Sequence, residues 1–283
     1  MKIGLIPVNI GLEQVEHMIG IAQMAEGAGF ESVWTFEHVI VPLDYKSKYP
    51  YSPSGKMGAA PETNFIDPLI ALTAIAANTK TIRLGTGVNI LSQANPLYLA
   101  KQTASLDMVS GGRFMLGVGI GWLQEEFAAM GVPFEKRGAR FDDYVEAMRK
   151  VWSGETVEHD SEFLSWHGFK SYPVPVQNPM PVIIGGIKGK IHQRIAKYGN
   201  GWYAPTTDPA ELKQHLDLVR AECDKIGRDF NEIEITCMWA GTGGKEAIEQ
   251  WEQAGCHRLV CMLQALGADP AAGIQRIASE AIA

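Results

Sequence analysis

Short β-rich apolar runs alternate with longer amphipathic stretches along nearly the whole chain. That alternation predicts parallel strands joined by crossover helices. Eight such units can be read. Lys2–Val8 precedes an amphipathic stretch over Leu12–Gly29, and Ser32–Phe36 precedes Asp67–Asn78 across a long loop. Thr81–Asn89 precedes Asn95–Val109, and Arg113–Gly119 precedes two helical stretches, Gln124–Met130 and Arg137–Trp152. Pro181–Gly185 precedes Lys188–Tyr198, and Gly201–Ala204 precedes Asp208–Ile226. Glu232–Trp239 precedes Gly244–Ala254, and His257–Leu263 precedes Pro270–Ala281. Eight parallel units can close on themselves and leave no sheet edge. The pattern therefore predicts one α/β domain over residues 1–283, a (β/α)8 TIM barrel. An open doubly wound sheet is the alternative, although no Gly-x-Gly-x-x-Gly follows the first strand to support it.

Three helix starts are written in side chains. Asp67-Pro68, Asn95-Pro96 and Asp208-Pro209 each set a capping acceptor before a proline whose missing N–H would be unpaired anyway. Glu211, three residues beyond Asp208, predicts a capping box. Two insertions interrupt the rhythm. Val39–Ile66, after the second strand, is rich in Pro, Gly, Ser and Tyr and lacks helical periodicity, so it reads as a lid or a disordered segment. Glu155–Met180, before the fifth strand, carries an expected hairpin over Thr156–Glu158 and Phe163–Tyr172.

Composition narrows the class without choosing a function. The length of 283 residues suits an α/β barrel, which takes about 250. A net charge of −7 argues against nucleic-acid binding, which needs a basic surface. The apolar run within Met1–Pro7 is too short for a signal sequence or a membrane span and reads as the first strand. Cys223, Cys237, Cys256 and Cys261 form no Cys-x-x-Cys, and the histidines are scattered, so neither a metal site nor a disulfide framework is expected. Free thiols fit a cytoplasmic location.

In such a barrel, functional groups gather where strands end and the following loops begin. That rule selects Glu37 and His38; Gly87, Val88 and Asn89; Gly119, Ile120, Gly121, Trp122 and Glu125; and Gly185, Gly186, Lys188 and Gly189. Glu37-His38 is the one adjacent carboxylate–imidazole pair at an expected strand end, and imidazole moves protons at low cost near neutrality. Gly185 to Lys190 runs from a strand into a helix, with two lysines among its glycines. It serves either as an anion cradle at a helix N-terminus or as a tight turn. Glycines 117, 119 and 121 fail the dinucleotide fingerprint because Trp122 stands where a third glycine belongs. They let a planar ring lie on the backbone or permit tight packing, and the sequence leaves both open. Asp107, Ser110, Gly111, Gly112 and Arg113 precede a strand, at the stability end of the barrel. Arg137 and Arg140 are expected to pair with Asp142 and Asp143 on one helix, each pair worth roughly a few tenths of a kcal/mol.

Several stretches, in order and spacing, carry a resemblance. They are Ala28-Gly29-Phe30-Glu31-Ser32-Val33-Trp34 through Glu37-His38, Tyr49-Pro50-Tyr51-Ser52 through Gly55-Lys56, and Leu84-Gly85-Thr86-Gly87-Val88. Asn95-Pro96-Leu97 through Gln102, Leu106-Asp107 through Arg113, Gly117 through Trp122 and on to Glu126-Phe127, and Pro181 through Gly186 continue the series. The chain resembles the luciferase-like flavin monooxygenase superfamily, and within it the branch using the deazaflavin coenzyme F420. The resemblance implies a barrel of the bacterial luciferase type and an oxidoreductase that transfers a hydride between deazaflavin C5 and a small organic substrate. It assigns Glu37, Gly87, Val88, Asn89, Ile120, Gly121 and Glu125 to the ring, and Gly185, Gly186, Lys188 and Gly189 to the phosphoryl end. His38, with Glu37 beside it, corresponds to the acid/base position, a non-proline cis peptide maps to Gly87-Val88, and a homodimer is implied.

One departure bears on substrate. Sugar-phosphate dehydrogenases of this branch carry a carboxylate where this chain has Trp122, and an aromatic side chain cannot accept a proton. With Trp34, Phe36, Tyr49 and Tyr51 also candidates for the mouth, the expectation is a flat or apolar substrate bound near Trp122. Two alternatives stand beside this reading: an FMN-dependent monooxygenase using reduced flavin and oxygen, and a barrel that binds the cofactor without catalysis.

Overall fold

The computed structural model describes residues 1–282. In chain order its strands are β1 (Lys2–Ile6), β2 (Ser32–Thr35), β3 (Arg83–Thr86), β4 (Asn89–Ile90), β5 (Phe114–Gly119), β6 (Val157–Asp160), β7 (Ser165–Phe169), β8 (Val182–Gly185), β9 (Gly201–Ala204), β10 (Glu234–Trp239) and β11 (Arg258–Met262). The helices are α1 (Val15–Gly27), α2 (Pro68–Asn78), α3 (Pro96–Ser110), α4 (Gln124–Ala129), α5 (Arg137–Trp152), α6 (Ile191–Tyr198), α7 (Pro209–Ile226), α8 (Gly244–Gln253) and α9 (Pro270–Ala281). Strands β3, β2, β1, β11, β10, β9, β8 and β5 pair in that order, and β3 also pairs with β5. That last pairing, Leu84 with Phe114 and Gly85 with Met115, closes the ring and excludes the open-sheet alternative. The fold is the expected eight-stranded parallel barrel.

Every residue of β2 and β5 is buried, as strands covered on both faces must be. One apolar cluster fills the interior: Ile6, Trp34, Met115, Ile183, Tyr203 and Val260, flanked by Phe36, Val88, Met238 and Met262. A larger cluster packs the outer strand faces against the helices. No helix among the described residues is long and apolar enough to cross a membrane.

Asp67, Asn95 and Asp208 cap α2, α3 and α7 as their sequence predicts. α9 starts at Pro270 as predicted, and Asp269 caps it in the same way. The capping box at Asp208 does not form. Thr206 Oγ1 receives the Asp208 N–H at 3.2 Å, and the Glu211 carboxylate accepts from the Thr206 hydroxyl instead.

The ion pairs expected within α5 are also replaced. Arg140 is buried and donates to the Ser92 carbonyl at 2.8 Å and to the carbonyls of Glu135 and Pro133. Arg137 donates to the Gly121 carbonyl at 3.2 Å and lies over the Phe134 ring. Buried loop carbonyls need donors, and these two arginines supply them. Asp142 pairs with Arg194 at 2.6 Å, and Asp143 with His159 at 2.9 Å.

The third strand is shorter than its apolar run. It stops at Thr86, the Gly87–Val88 peptide is cis as the resemblance implies, and the chain resumes as β4 against β5. The segment from Val39 to Ile66 contains no helix or strand. Asn9 pins both its ends, donating to the carbonyls of Phe36 at 2.9 Å and Ile66 at 2.7 Å. The second insertion carries the hairpin β6–β7, whose strands overlap the expected ones.

Candidate functional site

Glu37 and His38 leave the barrel just beyond β2. The Glu37 carboxyl turns toward β4, accepting from Asn89 Nδ2 at 2.9 Å and from the Ile90 backbone N–H. Burial raises its pKa to about 7, the bonds from Ile90 and Asn89 oppose the rise, and the charges of Glu126 and Asp67 add to it. The carboxyl is therefore poised between its acid and base forms near neutrality. Asn89 Oδ1 is buried and has no hydrogen-bond partner among the described residues.

His38 Nδ1 faces Glu126, 3.2 Å from Oε2 and 3.4 Å from Oε1. Glu126 lies on α4 and is 1% exposed. It also accepts the backbone N–H groups of Val39 at 2.6 Å and Ile40 at 3.3 Å. A carboxylate acceptor at Nδ1 fixes a proton there and leaves Nε2 as the working nitrogen. Glu125 is the carboxylate expected here from the sequence, yet Glu126 is the one that meets the imidazole. Glu125 accepts from the backbone N–H groups of Lys46 at 2.7 Å and Ser47 at 3.3 Å. Desolvation pushes its pKa upward, but the bonds from Ser47 and Lys46 outweigh it and hold Glu125 at about 2. Its carboxylate thus fastens the insertion to α4, and the Ser47 hydroxyl completes the clasp by accepting from Gln124 N–H at 3.0 Å.

The glycines divide into two kinds. A Cβ on Gly119 would lie 2.8 Å from Val88 Cγ2, and one on Gly185 would lie 2.6 Å from Val88 Cγ1. At Gly117 the obstacle is the Thr86 carbonyl. These glycines make room for the chain's own turn after β3, so the packing reading prevails over the planar-ring reading at 117 and 119. Gly121 has φ +73°, with Phe127 and Ile90 where its Cβ would be. Ile120 beside it receives the Ser92 hydroxyl on its carbonyl at 2.7 Å. Gly186 and Gly189 are open: a Cβ would meet nothing nearer than 3.6 Å at the first and nothing within 4 Å at the second. Lys188, Gly189 and Lys190 are exposed. No described side chain caps α6, so its first amides stay free to meet an anion.

Aromatic side chains roof this end. Trp122 meets His38 edge-on at a centroid distance of 5.9 Å, Tyr45 at 5.8 Å and Tyr49 at 5.2 Å. Tyr51 packs on Tyr49, and its hydroxyl reaches to 3.9 Å from where a Gly186 Cβ would stand. The insertion therefore spans the mouth from α4 to the tip of β8. Of the other sequence candidates for the mouth, Trp34 belongs to the barrel interior, and Phe36, half-buried just beyond β2, packs against that interior from the strand tip.

The strand tips converge. Glu37 bonds to Asn89, His38 touches Trp122, and Val88 fills the space beside Gly119 and Gly185. A ring with an anionic tail suits this donor set. Asn89 Oδ1 has no donor among the described residues, and the open glycines, two exposed lysines and uncapped amides of α6 lie together beyond β8, with room for an anion.

The sequence profile of the luciferase-like monooxygenase family matches residues 5–272. An uncharacterized protein of Mycobacterium tuberculosis (strain ATCC 25618 / H37Rv) is 30% identical over 92% of this chain and 92% of its own. The F420-dependent glucose-6-phosphate dehydrogenase of Gordonia bronchialis is 30% identical, covering 77% of this chain and 61% of its own. The coenzyme F420-dependent tetrahydromethanopterin reductase of Methanopyrus kandleri superposes with a TM-score of 0.78 over 99% of this chain and 98% of its own; at 16% identity this is a likeness of fold. With its barrel closed, its strand tips gathered and its profile matched almost end to end, the chain belongs to the luciferase-like monooxygenase family.

Proposed function

We propose that the protein is an F420-dependent oxidoreductase acting on a small, flat organic substrate, with His38 as its acid/base group. The observation that carries this reading is the His38 imidazole, oriented by the buried Glu126 and set at the same mouth as the Glu37–Asn89 pair. The bound deazaflavin supplies a hydride donor or acceptor at C5. Glu37, Gly87, Val88, Asn89, Ile120 and Gly121 hold the ring, and Gly185, Gly186, Lys188 and Gly189 hold the phosphoryl end. Glu125 acts at one remove, by fastening the insertion over the site. His38 takes or gives the accompanying proton through Nε2. Trp122 and Tyr49 offer the substrate apolar faces and no proton acceptor, which disfavours a sugar phosphate despite the activity named for the Gordonia relative. The family's description as monooxygenases keeps an FMN-dependent monooxygenase as the second reading.

The protein also acts as a homodimer in this proposal. α2 and α3 pack side by side, and their outward faces expose Ile70, Tyr98 and Met108. Apart from Thr73 and Asn78, α2 carries no polar side chain, an unusual surface for a helix facing water.

Fluorescence titration of the purified protein with F420 and with FMN separates the two cofactor readings. Micromolar F420 binding is expected. FMN binding without F420 binding overturns the proposal in favour of the monooxygenase.

A further inference from the structure

The barrel interior holds one polar tip that the function above leaves without a partner. Tyr203, on β9, stands opposite Gly185 of β8 and projects among Ile6, Trp34, Met115 and Val260. The outer end of its ring lies under the cis peptide: a Cβ on Gly87 would be 3.3 Å from Tyr203 Cε2 and 3.4 Å from Cζ. Trp34 packs against the ring, tilted at 45° and 5.6 Å between centroids. The hydroxyl is buried and has no hydrogen-bond partner among the described residues. Phenylalanine would fill the same space without that cost, since a buried hydroxyl left unpaired forfeits its bonds to water.

We infer that Tyr203 Oη is a ligand contact on the floor of the mouth, donating its hydrogen to a neutral carbonyl oxygen of the molecule seated over Gly87–Val88. The inference rests on the cofactor-binding reading above and extends it to a residue that reading does not use. Burial pushes the phenol far above its ordinary pKa, so the group remains a neutral O–H donor. The surrounding apolar side chains, Met238 and Met262 included, disfavour a charged partner, because an ionised acceptor there would lose its hydration without an opposite charge. A carbonyl fits on both counts. It can belong to the cofactor ring or to a flat ketone substrate, and the two sources separate in experiment.

The test is Tyr203→Phe, which keeps the packing on Gly87 and Trp34. Thermal unfolding of the ligand-free protein comes first: the variant is expected to melt about 2–4 °C higher, since an unpaired hydroxyl has been removed. F420 titration and binding of acetophenone, a flat ketone probe, to the F420-loaded protein follow. An F420 affinity about 5–10-fold weaker in the variant assigns the hydrogen bond to the ring. Equal F420 affinity with the same loss for acetophenone assigns it to the substrate. A variant that melts no higher overturns the inference, because the hydroxyl then has a partner within the fold. Unchanged affinity for both ligands overturns it too. A wild type that takes FMN and not F420 removes the cofactor reading alone, provided the variant weakens FMN to the same extent; without that weakening, or if the wild type binds neither ring, the inference falls as well.

Discussion

The two ends of the barrel treat buried polar groups in opposite ways. At the N-terminal end Arg258 is fully buried, and each of its three guanidinium nitrogens is engaged. Nε and Nη2 each bond to the Glu31 carboxylate at 2.7 Å, and Nη1 bonds to Glu234 at 2.7 Å and Thr236 Oγ1 at 3.0 Å. Lys2 adds a further bond to Glu234. At the C-terminal end, Asn89 Oδ1, both amide atoms of Gln93, Glu125 Oε2 and Tyr203 Oη are buried without partners. Those five are among six such side-chain atoms in the described residues; the sixth belongs to His159 in the hairpin. Where polar groups serve only the fold, they find each other. At Asn89 and Tyr203 the fold alone gives no account of the open polar atom, and the ligand proposed above would supply its partner.

The largest expected effect separates the ends by activity. His38→Ala should lower turnover by about 10²–10⁴-fold while the protein still binds F420 and melts within a few degrees of the wild type. Full turnover in that variant removes His38 from the chemistry. The counterpart at the other end acts on stability. Arg258→Met leaves the half-buried Glu31 with only the more distant Arg83 at 3.9 Å and Glu234 with only Lys2, and urea unfolding should show a loss of about 3 kcal/mol, the lower end for a broken buried pair. The folded fraction should bind F420 with unchanged affinity; a matching loss of affinity breaks the division between the ends.

Much of this architecture was legible in the sequence, and the failures share one cause. Strand–helix alternation and the capping residues Asp67, Asn95 and Asp208 are local signals, and they predicted the barrel and its helix starts. The run Thr81–Asn89 reads as one strand, yet its course after Thr86 is decided by room beside Gly117, Gly119 and Gly185 on other strands. Arg137 and Arg140 have acidic neighbours on their own helix, but distant loop carbonyls claim them. Glu126 could have been found. It stands three residues after Leu123 and one before Phe127, both buried, so a carboxylate shares the apolar face of α4 while Glu125 lies off it. The inward turn of Tyr203 gives no comparable local sign, because all four residues of β9 are buried.

Acidity should sharpen the same contrast, because Glu37 at the mouth and Glu234 at the opposite end are shifted in opposite directions. Glu37 is raised from 4.5 to about 7, chiefly by burial. Its contribution to stability is complete below pH 4.5, where folded and unfolded chains both hold the proton. From 4.5 to 7 the unfolded chain releases it first, so stability falls as pH rises, by at most about 3 kcal/mol in total. Burial also pushes Glu234 upward, but Arg258 and Lys2 outweigh it and hold the group at about 2. Its contribution is complete above pH 4.5 and fades as pH drops toward 2. Melting curves of the ligand-free protein across pH 3 to 8 test the pair. Glu37→Gln should flatten the fall between 4.5 and 7 and leave the acid limb intact. A variant that keeps the fall shows that another group titrates there.

The smallest effect asks whether a structural cap also tunes the site. Asp67 caps α2 by accepting the N–H groups of Leu69 and Ile70, both at 2.9 Å, and its charge helps to raise Glu37. Asp269 caps α9 by accepting the N–H groups of Ala271 at 3.0 Å and Ala272 at 3.2 Å, and serves as the comparison. Alanine at either position should cost about 1 kcal/mol, since each loses a cap. Asparagine keeps the capping oxygen and removes the charge, so Asp67→Asn and Asp269→Asn should both retain the wild-type melting temperature at pH 5. Only Asp67→Asn should move the Glu37 titration, read by carboxyl ¹³C shifts, and it should move it downward, because a neighbouring negative charge no longer resists ionisation. Equal titrations in the two variants would confine Asp67 to its helix. A shift only in Asp67→Asn would make one residue both the start of α2 and part of the mouth's electrostatics.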